Sequence, residues 1–93
     1  MSKESDFYKK LKSSLEVTTE FPTDYMFKFI VPADGDGFQK IESIFDNLGA
    51  VIKSKPSKTG KYTSLTIRLK MKTANSIIIK YKEVSSIKGI VSL

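Results

Sequence analysis

The side chains best suited to binding chemistry cluster in one short stretch, residues 57–64. Its sequence, Ser-Lys-Thr-Gly-Lys-Tyr-Thr-Ser, combines hydroxyls, ammonium groups and a glycine that can take a positive φ angle. Donors at Ser57, Lys58, Gly60, Tyr62 and Ser64 could bind a small anion or a partner peptide. The same residues also suit a structural role, in which Gly60 makes a hairpin turn and Ser57 bonds to the loop backbone. The sequence leaves both interpretations open.

The residue types present leave little room for catalysis. The chain has no histidine and no cysteine, which removes the commonest general base, thiolate metal ligands, disulfides and the usual catalytic triads. The nearest thing to an acidic cluster has two members in a turn and two on the polar side of a predicted helix, without a metal-ligand set beside them. We therefore expect a protein that is not an enzyme and uses no cofactor or metal. The cluster consists of Asp34, Asp36, Glu42 and Asp46.

The longest regular pattern follows the hairpin stretch, at residues 62–72. Apolar and polar residues alternate there, which predicts a strand with one buried and one solvent-exposed face. Arg68 falls on the exposed face and is a further candidate for binding a ligand or partner. The predicted buried side carries Leu65, Ile67, Leu69 and Met71.

A second strand is predicted at residues 25–32, where aromatic and β-branched residues are concentrated. If Lys28 points to solvent, Met26 and Ile30 share its side. A strand that is apolar on both sides is usually covered on both. We therefore expect something to lie over Met26 and Ile30, either the N-terminal helix or a second copy of the chain, and we assign these two residues to a self-association face. Phe27, Phe29 and Val31 should point into the core.

The remaining elements follow from helical periodicity, turn residues and proline positions. An amphipathic helix is predicted at residues 6–16, capped by Asp6. A second helix begins at a capping box of Asp36 with Gln39 and ends at Leu48, where Gly49 stops it. An edge strand at 50–55 is ended by Pro56, a third helix at 73–85 is capped by Thr73, and a last strand covers 89–93.

From residue 25 onward the order is strand, helix, strand, strand, helix, strand. This order is typical of the ferredoxin-like fold, an α+β sandwich with both helices on one face of an antiparallel sheet. A strand order of 4-1-3-2 places the two longest strands in the middle and the short ones at the edges. We expect one such domain over residues 21–93, preceded by an extra N-terminal helix and linker over residues 1–20.

The formal net charge of +6 permits an anionic partner. Nearly all the basic residues are lysines, however, whereas recognition of phosphate and guanine favours arginine. An RNA-recognition surface also stacks bases on aromatic side chains, and on the exposed sheet face we find only Tyr62, near a strand end. The sequence therefore argues against nucleic-acid binding. No apolar run reaches the roughly 20 residues that span a membrane, so we expect a cytoplasmic protein without membrane contact.

Several segments carry a family resemblance. The opening Phe-Pro-Thr-Asp-Tyr-Met-Phe-Lys-Phe-Ile at residues 21–30, the Ser-x-x-Gly-x-Tyr-x-Ser hairpin at 57–64, and the C-terminal Tyr-Lys-Glu-Val and Ile-Val-Ser-Leu resemble the YbeD-like family. These are small bacterial proteins of unknown function that often bear the label lipoate regulatory protein. The resemblance implies a fold akin to the ACT regulatory domain, no known enzymatic activity and no cofactor. Nothing in these residues recognises lipoate.

Residues and resemblance together predict a non-enzymatic regulatory or protein-interaction module that self-associates. Two alternatives remain: a nucleic-acid binder that uses a lysine-rich sheet face, and a small-molecule sensor with its ligand at the hairpin of residues 57–64.

Overall fold

The structure is a computed structural model that describes residues 3–92, with side chains from Asp6 onward. The helices and strands follow one another in the predicted order. Their bounds are α1 Lys3–Thr18, β1 Thr23–Pro32, α2 Gly37–Ile44, β2 Val51–Pro56, β3 Tyr62–Met71, α3 Ala74–Val84 and β4 Val91–Ser92.

The sheet is built on the antiparallel pairing of β1 with β3. Ten residue pairs join them, from Thr23 opposite Met71 to Pro32 opposite Tyr62. β2 pairs with the other edge of β3, and β4 with the other edge of β1, so the order is β2-β3-β1-β4. This confirms the predicted order 4-1-3-2 and the ferredoxin-like fold, with the two long strands in the middle.

The helical side of the sheet holds the core. Phe27, Phe29 and Val31 from β1 are fully buried, and the apolar side of β3 lies beside them, as predicted. The rings of Phe27 and Phe45 lie 5.2 Å apart, and those of Phe27 and Tyr81 meet edge to face at 5.0 Å. Each buried aromatic ring contributes about 1.5–3 kcal/mol from area burial alone. Facing the sheet are Ile41 from α2 and Ala74, Ile77, Ile78 and Val84 from α3.

The N-terminal helix does not lie where it could cover Met26. α1 packs against α3, and Leu15 enters the core formed with the other helices. Of the two covers predicted for the second sheet face, the N-terminal helix is therefore excluded, and a second copy stays a prediction. Its apolar stripe is satisfied on the helical side, because α3 presents an apolar flank there. Within residues 3–92 Met26 remains 46% exposed and Ile30 half-buried.

Helix ends differ from the sequence predictions in three places. α1 begins before Asp6, so Asp6 is not its cap. Asp36 precedes α2 but makes no capping hydrogen bond, because its backbone (φ −111°, ψ 13°) is not in the extended conformation that aims a cap side chain at the helix. Its carboxylate instead approaches Lys40 at 3.6 Å. α2 also ends at Ile44 rather than Leu48, which is left exposed.

A complete capping box forms at the start of α3, where the sequence predicts only the cap residue Thr73. Thr73 Oγ1 accepts a hydrogen bond from the Ser76 backbone N–H at 3.1 Å, and Ser76 Oγ accepts one from the Thr73 N–H at 3.3 Å. Two donors at the start of α3 are thus satisfied reciprocally. Thr73 is the cap that the sequence predicts.

We expect Thr73→Ala to lower the free energy of unfolding by about 1 kcal/mol, because it removes a capping hydrogen bond. Asp36→Ala is the matched control and should cost less than about 0.5 kcal/mol, the value of an exposed i,i+4 ion pair. Urea unfolding followed by circular dichroism measures both. A larger loss for Asp36→Ala would contradict the cap assignment.

Candidate binding surface on the open sheet face

The side of the sheet away from the helices is an uncovered surface, which we call the open face. Its members follow from the register, because residues directly opposite each other on paired strands point to the same side. One cross-strand row contains Met26, Arg68 and Val51, and the next contains Lys28, Thr66 and Lys53. Ile30 and Ser64 lie in the row that follows. The open face consists of Asp24, Met26, Lys28, Ile30, Pro32, Val51, Lys53, Lys55, Tyr62, Ser64, Thr66, Arg68, Lys70 and Val91.

Large apolar side chains are exposed across the open face. Met26, Val51, Tyr62 and Val91 each leave about half of their surface in solvent, and Ile30 lies half-buried among them. These four make up half of the large apolar residues that are exposed in the described part of the chain. Their concentration on one side of the sheet favours an interaction surface.

The open face also concentrates positive charge. Five cations stand on it against one carboxylate, Asp24, so it holds four of the six net positive charges of the chain. The salt bridges between described residues lie away from the open face, Lys40–Asp36 at the start of α2 and Lys80–Glu83 on α3. Among the side chains described, those of residues 6–92, the cations of the open face therefore have no carboxylate partner within ion-pair distance: Lys28, Lys53, Lys55, Arg68 and Lys70.

A shallow depression of about 580 Å³ lies at one end of the open face. Arg68 lines it between Met26 and Val51, its two neighbours in the cross-strand row. A guanidinium with an apolar side chain on each side can present its donors to a carboxylate while its stem stays covered. The lining also includes Asp24, Tyr25, Gly49, Leu69 and Lys70.

Hydrogen bonds within the hairpin of residues 57–61, and between its flanking strands, hold its shape. The Ser57 N–H donates to the Tyr62 carbonyl at 2.8 Å, and the Tyr62 N–H donates to Ser57 Oγ at 3.1 Å. The Gly60 N–H donates to the Ser57 carbonyl at 3.0 Å, with Gly60 at φ +74°. Ser64 Oγ donates across the strands to the Lys55 carbonyl at 3.2 Å. These contacts match the structural interpretation of the motif.

The predicted binding residues therefore fall into separate places. Ser57, Gly60 and Tyr62 meet at the turn, and the Lys58 side chain is exposed at its tip. Arg68 lies four residues beyond Ser64 along β3, about 13 Å away, and belongs with Met26. The structure thus brings Arg68 to the predicted self-association face and not to the hairpin.

Sequence reasoning missed the contribution of β2 to the open face. Val51, Lys53 and Lys55 join it because β2 pairs in register with β3, Lys55 opposite Ser64. The signal that could have found them is the hairpin length. Once the 57–61 loop closes between Ser57 and Tyr62, counting back from the turn fixes the partner and the side of every β2 residue.

A second concavity, of about 490 Å³, lies between α1, α3 and β4. At its floor the Tyr25 and Tyr81 hydroxyls are 2.9 Å apart. Burial, with help from this hydrogen bond, raises the pKa of Tyr81, so its hydroxyl stays protonated. The hydrogen bond between the two hydroxyls links β1 to α3. The other residues that line the concavity are Phe7, Tyr8, Leu11, Ser85, Ile90 and Ser92.

The acidic residues noted in the sequence do not form a site. Asp36 approaches Lys40, and the Asp46 carboxylate accepts a hydrogen bond from the Asn47 N–H at 3.0 Å. Among the described residues, no group of three or more acidic side chains is arranged to hold a metal ion. No helix in the described part of the chain combines the length and apolar character needed to cross a bilayer.

The family described as "Protein of unknown function (DUF493)" matches residues 16–93. The chain belongs to this family. Because the YbeD-like proteins form the DUF493 family, the resemblance found in the sequence is confirmed. The match begins at Glu16, so most of α1 lies outside the DUF493 region.

A solved structure has a similar fold. The solution structure of protein HP0495 from H. pylori superposes with a TM-score of 0.65 at 15% sequence identity, over 82% of this chain and 86% of that one. At such low identity the likeness supports the fold alone. A comparison with functionally curated proteins found no match.

We expect Gly60→Ala to lower the free energy of unfolding by about 1–2 kcal/mol, since a Cβ is strained at the left-handed backbone of this turn. Lys58→Ala, in the same loop, is the control and should change it by less than about 0.5 kcal/mol. Chemical denaturation of both variants measures this. Equal losses would contradict the structural role assigned to the turn.

Proposed function

We propose that this chain is a non-enzymatic interaction module that binds another protein through its open face. The observation that carries the proposal is the cluster of half-exposed apolar side chains on a sheet surface that none of the three described helices covers. Removing such side chains from water is the main driving force of protein association. The resemblance of the sequence to proteins with an ACT-like fold supports a regulatory role for such a module, in which partner binding conveys a signal.

The charge of the open face bears on which partner is favoured. A second copy docked face to face would bring one set of five cations against another, and each close like-charge contact costs about 1 kcal/mol even in water. A different protein with complementary charge avoids this cost. Self-association through Met26 and Ile30 stays a prediction, and the charge of the face weighs against it.

Nucleic-acid binding is a second candidate, favoured by the same excess of cations. Its weakness is the lack of stacking surfaces among the open-face residues, where Tyr62 is the one aromatic side chain and lies at the end of β3. Base stacking is worth about 1–3 kcal/mol per ring, so a single ring adds little. A small-molecule site at the hairpin has less support, because the Ser57 hydroxyl already accepts a hydrogen bond from the Tyr62 N–H and the Ser64 hydroxyl donates to the Lys55 carbonyl. A cytoplasmic location stays a prediction.

The proposal is tested by site-specific photo-crosslinking of the full chain in the cells that express it. A photoreactive benzoylphenylalanine replaces Met26 in one variant and Ile79 in the other. The two positions are matched in exposure, 46% and 48%, but Ile79 lies on α3, on the opposite side of the sheet. We expect a discrete protein adduct from position 26 and none of the same mass from position 79.

The mass of the adduct separates the alternatives. An adduct of twice the mass of the chain would show self-association through the open face. An adduct removed by nuclease would show a nucleic-acid partner. The same adduct pattern from both positions, or none from position 26, would contradict the proposal.

A further inference from the structure

We infer that the open face binds an acidic segment of its protein partner, and that Arg68 anchors one carboxylate of that segment between Met26 and Val51. The inference rests on the proposed function and specifies the chemistry of the partner. Three observations carry it: the distribution of charge, the surroundings of Arg68, and the spacing of the cations.

The distribution of charge is uneven across the molecule. The open face holds a net charge of about +4, and the rest of the chain, with many more charged groups, is nearly balanced. If lysine served only to keep the surface solvated, the excess would be spread over the helices as well. Since the open-face cations lack carboxylate partners among the described residues, an incoming acidic segment would not have to displace any.

Arg68 has surroundings that suit an anchor. It is the one arginine of the chain, and its planar guanidinium can donate two parallel hydrogen bonds to a carboxylate. Met26 and Val51 flank it in the same row and border the depression beside it. Apolar neighbours exclude water from such a pair and so strengthen it. This arrangement selects a carboxylate that is next to a bulky apolar side chain.

The cations repeat at the spacing of an extended chain. Lys53 and Lys55 on β2, and Arg68 and Lys70 on β3, are two residues apart, which places successive members about 7 Å apart along each strand. An extended partner segment repeats its own side chains on one side at the same interval. Aspartate or glutamate at alternate positions would therefore match the cations one to one.

The test uses the full chain, isotopically labelled, and follows its amide signals by NMR during titration. The probe is a twelve-residue peptide with glutamate at alternate positions and two leucines. A peptide with glutamine in place of each glutamate is the control, and a single-stranded oligothymidine of twelve nucleotides is the competing ligand. We expect the glutamate peptide to shift the amides around Met26, Val51 and Arg68, and to bind more weakly as salt rises.

Two charge-matched variants test the anchor. Arg68→Gln should weaken binding of the glutamate peptide about tenfold, since it removes a charge-assisted bidentate contact. Lys40→Gln removes the same charge from the exposed surface of α2 and should change binding less than about twofold. Amide spectra of both variants without peptide should match the parent away from the substituted residue, which shows that both are folded.

Equal weakening by the two variants would overturn Arg68 as the anchor. Equal binding of the glutamine peptide, no binding of either peptide, or tighter binding of oligothymidine would overturn the acidic protein partner. If position 26 nevertheless crosslinks to a protein in cells, the interaction module stands and only the chemistry inferred for its partner fails.

Discussion

The ladder of ten residue pairs between β1 and β3 determines the rest of the structure. Because side chains alternate along a strand, this one register sends Phe27, Phe29, Ile67 and Leu69 to the helical side and Met26, Lys28, Thr66 and Arg68 to the other. A slip of β1 by one residue would expose the phenylalanines and bury Lys28. The core and the open face are therefore two consequences of a single pairing, and neither could change without the other.

The three helices make the two sides of the sheet unequal. α2 and α3 cover the phenylalanine side, and α1 adds Leu15 to the same side by packing on α3. The apolar residues of the open face are thus not part of the core of this chain. Under the proposed function, another molecule removes them from water. The cations among them keep the surface hydrated and disfavour docking against a like-charged surface.

Much of the fold could be predicted because the strands carry unambiguous patterns. The alternation of β3 and the aromatic run of β1 identify the central strands, and a proline and short length mark β2 as an edge strand. The sequence predicts a cap at Asp36 that does not form, because the failure depends on a backbone angle of the preceding turn. The position of α1 could not be predicted, because an amphipathic stripe shows which side is buried but not what buries it. For the candidate site, Met26, Ile30 and Arg68 were found from the sequence, whereas the β2 residues required the register.

The proposed binding surface requires that the open face is exposed to solvent. NMR of the methyl-labelled chain, with a neutral paramagnetic gadolinium chelate added to the solution, tests this exposure directly. The account predicts strong relaxation of the methyls of Met26, Val51 and Val91 and little relaxation of those of Ile41, Ile67 and Ile77, which are fully buried. If the methyls of Met26 and Val51 were as protected as that of Ile67, another part of the chain or a second copy would cover this surface, and the account would be contradicted.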